Sequence, residues 1–434
     1  MKHKLIVLTA SLLSLQPLLA QTTKSLTLKE AIDLSLANNK QLKLNEAKIL
    51  EATAGIKEAE EKRLPDAGIS GAYLYLPVQP HINLKSDSSS GGGGPKVSQA
   101  IYGMATVSLP IYNGGKLKYG IESAKYLQQA LKLDADNDRD AVIINTINAC
   151  INLFKAREAI ALVKENLEQS QQRVKDFSNL EKNGLLARND LMKAELQSSN
   201  IELTLLDAQS NYRLASANMD IMIGLPEETD LIPDRSGLAL PESVKTVAEY
   251  EQEALQNRND VAAAAIRKKS AELSIKTIKA DYYPSISLTG GYVAADIPKF
   301  LTITNAVNIG VGVKYNISSL WKTKTKLQVA EAKVKQVQAS QDLLSDNIRM
   351  QINQAYQTYF VSRKKIEVLE KSVEQATENY RITKNKYDNS LATTTELLDA
   401  DVALLQSKLS VTNAKADSFL AYNKLLYVSG LLKQ

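Results

Sequence analysis

The sequence is poor in the residues that usually carry chemistry: 434 positions hold one cysteine, two histidines and one tryptophan. Cys150 alone excludes an intrachain disulfide. With only His3 and His81, a histidine-based metal site or a catalytic triad has no material. There is no Gly-rich phosphate loop, no nucleophile-base set and no metal-ligand cluster, so neither an enzyme nor a bound cofactor is expected. Charge of one sign is also scarce. The formal net charge is +5, and removing Lys2 and Lys4 with a leader leaves about +3, spread evenly, which argues against nucleic acid as a partner. No run beyond the leader approaches the roughly 18 apolar residues of a spanning helix, so a membrane role has to use strands.

Glycine and proline are sparse and gathered in a few places, leaving long helical tracts and an elongated architecture. Residues 1–20 have a basic start (Lys2, His3, Lys4), an apolar core from Leu5 to Leu15, and Ala20 before the polar Gln21. This is the layout of a secretory signal, although Leu18 is larger than usual for the third position before a cut. A buried N-terminal helix fits poorly with the polar residues that follow at once. No cysteine follows the apolar core, so a lipid-anchored N-terminus is not expected.

What is abundant is a repeat. Two helix-turn-helix tips, residues 184–191 and 390–397, lie 206 positions apart. Before the first, apolar or small residues fall at Leu153, Ala156, Ile160, Val163, Leu167, Ser170, Val174 and Phe177, the spacing of a heptad seam. Shifted by 206, the register continues as Tyr359, Ser362, Ile366, Leu369, Val373, Ala376, Tyr380 and Thr383. After the tips the seam resumes from Leu191 to Met219 and from Leu397 to Leu425. Both segments are read as antiparallel coiled-coil hairpins, and the shared register marks a duplication. Upstream, Pro65, Gly71 and Tyr73 recur as Pro284, Gly290 and Tyr292, now offset by 219. The repeats are residues 21–225 and 246–434, joined by a mid-chain linker over 226–245 that holds Pro226, Pro233 and Pro241.

Each repeat has one strand-like segment, a β-hairpin over 66–112 and another over 285–317. Ile286, Leu288, Tyr292 and Ala294 alternate with Ser285, Ser287, Thr289 and Gly291, and Val107, Leu109 and Ile111 alternate with Thr106 and Ser108. The connecting loops differ, Asp296–Phe300 being short and Pro77–Gln99 long, with a Ser/Gly run at 88–94. Strands of about 10 residues with one apolar face match outer-membrane barrel strands; a soluble sheet with one wet face has the same period. In lipid, four strands leave open edges, so a barrel must be shared among chains. The tracts 116–182 and 322–388 each predict a helix of roughly 65 residues and roughly 100 Å. Helices over 26–63, 189–223, 247–281 and 394–428 are each about half that length.

With these elements in order, the chain resembles the TolC family of outer-membrane efflux proteins over nearly all of residues 21–434. The resemblance rests on the duplicated order of elements, on the segment Leu109-Pro110-Ile111-Tyr112-Asn113-Gly114-Gly115-Lys116, and on the two tips. It implies a mainly α fold with a β-hairpin per repeat. Three copies would close a twelve-stranded outer-membrane β-barrel, four strands from each, that continues into a periplasmic α-barrel. It further implies a periplasmic adaptor (membrane fusion) protein and an inner-membrane transporter as partners, outer-membrane lipid around the strands, and passage of substrate without chemistry. The second repeat departs from the pattern, with Tyr315-Asn316-Ile317-Ser318-Ser319-Leu320-Trp321-Lys322 where the Pro and Gly-Gly motif is expected.

Site expectations follow from the same resemblance. Glu396 and Asp399 match family positions that carry carboxylates at the periplasmic aperture; three apart on a helix, they share a face, and a ring of them favours cations. The alternative is that Glu396 completes a capping box with Thr393 and Asp399 is merely solvated. Asp190 answers to Glu396 in the first repeat and is the third candidate gate residue, with a helix-start charge as its other and favoured reading, while Lys193 stands at the position of Asp399. Gly184, Leu185, Leu186, Ser390 and Leu391 are candidate adaptor contacts, unless the leucines pack inside their own hairpins. Trp321, followed by Lys322, Lys324 and Lys326, is a candidate anchor at the membrane-water interface, unless it is buried. The favoured function is an exit duct for efflux of small molecules through a tripartite pump. The alternatives are a type I secretion duct for polypeptides and a soluble periplasmic coiled-coil scaffold.

Overall fold

The structure is a computed structural model that describes residues 23–78, 97–227, 229–234, 241, 243–298 and 300–432. The leader and most of the Pro77–Gln99 loop lie outside the described residues. Two compact units are present, each drawing on both repeats. One comprises residues up to Leu44, Ala135–Asn259 and Ser345 onward; the other comprises Asn45–Asp134 and Asp260–Leu344.

Both repeats open with a threonine cap. Thr27 accepts from the Glu30 amide at 3.2 Å and starts α1 (Leu28–Asn38). Thr246, 219 positions on, forms a full capping box with Glu249 and starts α5 (Val247–Asn257). The single helices expected over 26–63 and 247–281 are each broken, giving α2 (Lys40–Glu61) and α6 (Asn259–Lys279). The break falls at equivalent residues, Asn39 and Arg258, both with extended backbone. At the first, the Asn39 side-chain oxygen accepts from the Gln41 amide at 2.8 Å and so serves the orphan donors of the next helix. Each break also meets the end of a return helix. Asn38 Nδ2 donates to the Ile223 carbonyl at 2.7 Å, and Arg258 Nη1 donates to that of Val428 at 2.8 Å. Gly224, left-handed at φ 77°, is required there because a Cβ would lie 2.8 Å from the Asn38 side chain.

A parallel strand pair, β1 (Thr23–Leu26) with β4 (Asp230–Pro233), lies where the sequence suggested only the start of the first helix and a linker. Four-residue strands, one ending in proline, show no readable alternation. The Tyr212 hydroxyl helps fix β4, lying 2.6 Å from Asp230 Oδ1 and 2.7 Å from the Leu231 carbonyl. Leu26, Leu231, Leu153, Met219 and Ile223 form the adjoining core.

In the other unit a four-stranded antiparallel sheet has the order β2 (Asp66–Tyr75), β3 (Gln99–Tyr112), β5 (Ser285–Ile297), β6 (Leu301–Lys314). Register aligns Ile69, Ala105, Tyr292 and Val307 in one row and Gly68, Thr106, Gly291 and Asn308 in the next, so the sheet has one apolar and one small or polar face. On the apolar face Ile69, Val307, Ile309, Val311 and Val313 are exposed. The outer edges of β2 and β6 pair with no strand among the described residues. Strand β6 ends at Lys314, three residues short of the expected hairpin end.

From β3 the chain enters α3 (Lys116–Lys182), of 67 residues, through Gly114 and Gly115 at φ 64° and 83°. The second junction lacks glycine and works differently. Asn316 accepts from the Ser319 amide through its carbonyl and from Ser318 Oγ through its side chain, and α7 (Ser319–Asp388), of 70 residues, follows. Asn113 holds the matching place, three residues before α3. The return helices are α4 (Arg188–Ile223) and α8 (Thr394–Val428). Among the described residues no helix is long and apolar enough to cross a membrane.

Candidate functional site at the paired helical tips

Both tips are made by the same backbone bonds. The Leu185 amide donates to the Leu180 carbonyl at 2.9 Å, and the Leu391 amide to that of Lys386 at 2.7 Å. These are Schellman-type ends whose left-handed residue is Gly184 (φ 70°) in one and Ser390 (φ 60°) in the other. Every expected seam position along both hairpins is buried or half-buried. Near the tips the two hairpins share one core, in which Phe177, Leu191, Ala194 and Leu397 are buried and Leu186, Tyr380 and Tyr387 pack around them. Phe177 and Tyr387 stack with ring centroids 5.5 Å apart.

The expected tip residues divide. Leu185 and Leu391 are exposed, at 75% and 76%, and Gly184 and Ser390 are exposed with them, whereas Leu186 turns into the shared core. Glu396 is exposed and engaged as a cap: it accepts from the Thr393 amide at 2.7 Å, and Thr393 accepts from its amide in return. The Thr393 amide first, and its hydroxyl second, hold the Glu396 carboxyl below its ordinary value. Asp399 is exposed one turn into α8. Asp190 lies in the first turn of α4 and pairs with Lys193 at 3.2 Å; Lys193 reaches across to Thr395 Oγ1 at 3.3 Å. Trp321, in the first turn of α7 in the other unit, is 62% exposed rather than buried.

Sequence reasoning missed the polar group that joins the hairpins. Arg173 of α3 donates through Nη1 to Asp401 Oδ2 of α8 at 2.9 Å and through Nη2 to the Tyr380 hydroxyl of α7 at 3.2 Å. Asn166 Nδ2 donates to the other Asp401 oxygen at 3.1 Å. Asp401 is 2% exposed. Burial opposes the Arg173 charge, and the Asp401 carboxylate outweighs it, holding the guanidinium above its usual value. A buried pair with its oxygens satisfied is costly to break from one side. The only sequence signal was position: Arg173 immediately precedes the seam residue Val174, and Asp401 immediately follows Ala400.

Comparison with known proteins decides the family. The profile of the outer membrane efflux protein family matches residues 31–225 and 251–431. The chain belongs to this family. Outer membrane efflux protein BepC of Brucella suis is 22% identical over 432 residues, covering 98% of this chain and 90% of that protein. Cation efflux system protein CusC of Escherichia coli strain K12 is 23% identical over 352 residues, covering 74% and 72%. The fold is shared with the outer-membrane channel OprN, at TM-score 0.76 and 17% identity over 93% of this chain and 89% of that one. It is shared also with VceC of Vibrio cholerae, at TM-score 0.74 and 18% identity over 93% and 96%. As an outer membrane efflux protein the chain has strands to place in lipid, and its exposed apolar sheet face is suited to that solvent.

Proposed function

We propose that three copies of this chain form a passive outer-membrane exit duct for small molecules, served by a periplasmic adaptor and an inner-membrane transporter, and opened at the helical tips. One observation carries the assembly: a four-stranded sheet with an exposed apolar face and two edges that pair with no strand among the described residues. Such edges are not tolerated in lipid, and pairing β2 of one copy with β6 of the next removes them all. Trp321 and the lysines after it anchor the base of the barrel at the interface.

At the helical tips, Asp399 faces the aperture and draws cations, with Glu396 and Asp190 adding negative potential at their helix starts. Leu185 and Leu391, with Gly184 and Ser390, form the apolar rim that meets the adaptor, and Leu186 supports them from within. The Arg173–Asp401 pair and Tyr380 tie the two hairpins of each copy together. Planar-bilayer recording tests the gate. Asp401→Ala is expected to raise the single-channel conductance several-fold over the parent protein, because it frees the hairpins to part. Unchanged conductance would place the constriction elsewhere.

A further inference from the structure

Helix α4 ends in an electrostatic conflict. Asp220, in its last turn, is 0% exposed, and neither carboxylate oxygen has a hydrogen-bond partner among the described residues. Its backbone is fixed, because the Gly224 and Leu225 amides both donate to the Asp220 carbonyl. The carboxylate lies at the negative end of the helix dipole, and the last turn of α4 holds no basic residue. Packing does not call for a charge there, since the counterpart in the second repeat is Leu426. A buried carboxylate left without a counter-charge is costly.

The linker brings a second carboxylate to the same place. Thr229 closes the turn 226–229, its amide and hydroxyl both donating to the Pro226 carbonyl, at 3.1 and 2.8 Å. Ser216 Oγ donates to the Thr229 carbonyl at 3.1 Å and so holds this turn against α4. Asp220 follows Ser216 by one turn on the same helix face, and the linker turn beside it carries Glu227. The Glu227 charge reaches Asp220 and, after burial, is the second cause of its raised pKa. Two carboxylates and the carbonyl end of a helix thus converge, and all the donors are oxygens. Such a set suits a hard cation such as calcium better than a transition metal.

We propose that Asp220 and Glu227 bind a divalent cation of the calcium class, which ties the linker turn to the end of the first hairpin. Asp220 supplies the two buried oxygens, exposed Glu227 closes the site from the solvent side, and water completes the shell. The cation supplies the counter-charge that the chain itself does not. The site is made within one chain and is separate from the tip carboxylates: Asp190 opens α4 and Asp220 ends it, about 45 Å away at 1.5 Å per residue.

Thermal melting of the full chain in detergent, first chelated and then titrated with Ca²⁺ at pH 8, tests the site. In chelator, Asp220→Asn is expected to melt above the parent, because its buried charge is gone. Ca²⁺ at about 100 times its Kd is expected to raise the parent by several degrees and to leave Asp220→Asn where it was. Glu227→Gln, a change at an exposed position, is expected to fold as the parent does and to bind Ca²⁺ about tenfold more weakly. Asp399→Asn is expected to keep the parent's response. Equal responses of the parent and Asp220→Asn would put cation binding elsewhere and overturn the proposal. No response from the parent would leave Asp220 a buried acid that holds a proton only, and would overturn it as well. Calorimetric titration with Ca²⁺ checks the count: Asp220→Asn is expected to lack one site per chain that the parent has, and equal counts contradict the assignment.

Discussion

The first hairpin turns through Gly184 and restarts at Ala187 without a side-chain cap, whereas the second turns through Ser390 and restarts at Thr393 with a full capping box. The backbone bonds of the two turns are the same, so the turn itself does not depend on these choices. What differs is where free energy is gained and lost. Serine in a left-handed conformation costs about 1–2 kcal/mol relative to glycine, and the capping box offsets about 1 kcal/mol of it. The hairpins also differ in company. The face of α3 is covered by α8 and locked by Arg173 and Asp401, while the matching face of α7 is open and carries Asn379 and Ser372 where α3 has Arg173 and Asn166. Duplication preserved the seam and let the outer faces specialise.

Breaking that asymmetry gives the largest expected effect. Asp401→Ala strands a buried guanidinium and is expected to cost about 3–5 kcal/mol, read as a lower melting temperature by circular dichroism. Glu195→Ala, the same change in the first repeat, removes an exposed side chain and is expected to stay within about 0.5 kcal/mol. Similar losses from both would mean that the tie is not special to one seam.

A second asymmetry depends on pH. Asp220, buried in the last turn of α4 with neither carboxylate oxygen hydrogen-bonded, has Leu426 as its counterpart. Burial first, and the Glu227 charge second, push its pKa up to about 6. The folded state therefore holds this proton more tightly than the unfolded chain does. The penalty is absent at pH below about 4, grows between about 4 and 6, and is complete above. Asp220→Asn is expected to raise the melting temperature at pH 8 and to give no gain at pH 4; a gain independent of pH would assign the effect to packing. The smallest changes concern the caps. Thr393→Ala is expected to cost about 1 kcal/mol, and Ala187→Ser to return about 0.5–1 kcal/mol to the uncapped tip, by the same melting measurement.

Much of this architecture was legible in the sequence because it is periodic. Heptad spacing from Leu153 to Phe177 and from Leu191 to Met219 placed the seams, and period-two alternation at Ile286, Leu288 and Tyr292 placed the strands with the apolar face that the register bears out. What was not legible lacks a period. The breaks at Asn39 and Arg258 depend on side chains reaching Ile223 and Val428, far away in the chain. The β1–β4 pair is too short to alternate. At the tips, Asp399 and Asp401 look alike in sequence, and only tertiary placement makes one exposed and the other the buried partner of Arg173. Glu396 was open between cap and aperture, and its bonds to Thr393 show the cap.

The central claim is that several chains share one barrel, and the mass of the protein extracted from isolated outer membranes, measured by light scattering corrected for bound detergent, tests it most directly. Three chains per particle is the predicted result, a closed ring in which every β2 and β6 edge finds a partner. A one-chain particle, or a chain recovered in the soluble periplasmic fraction, would contradict the account, because four strands with two free edges cannot close in lipid.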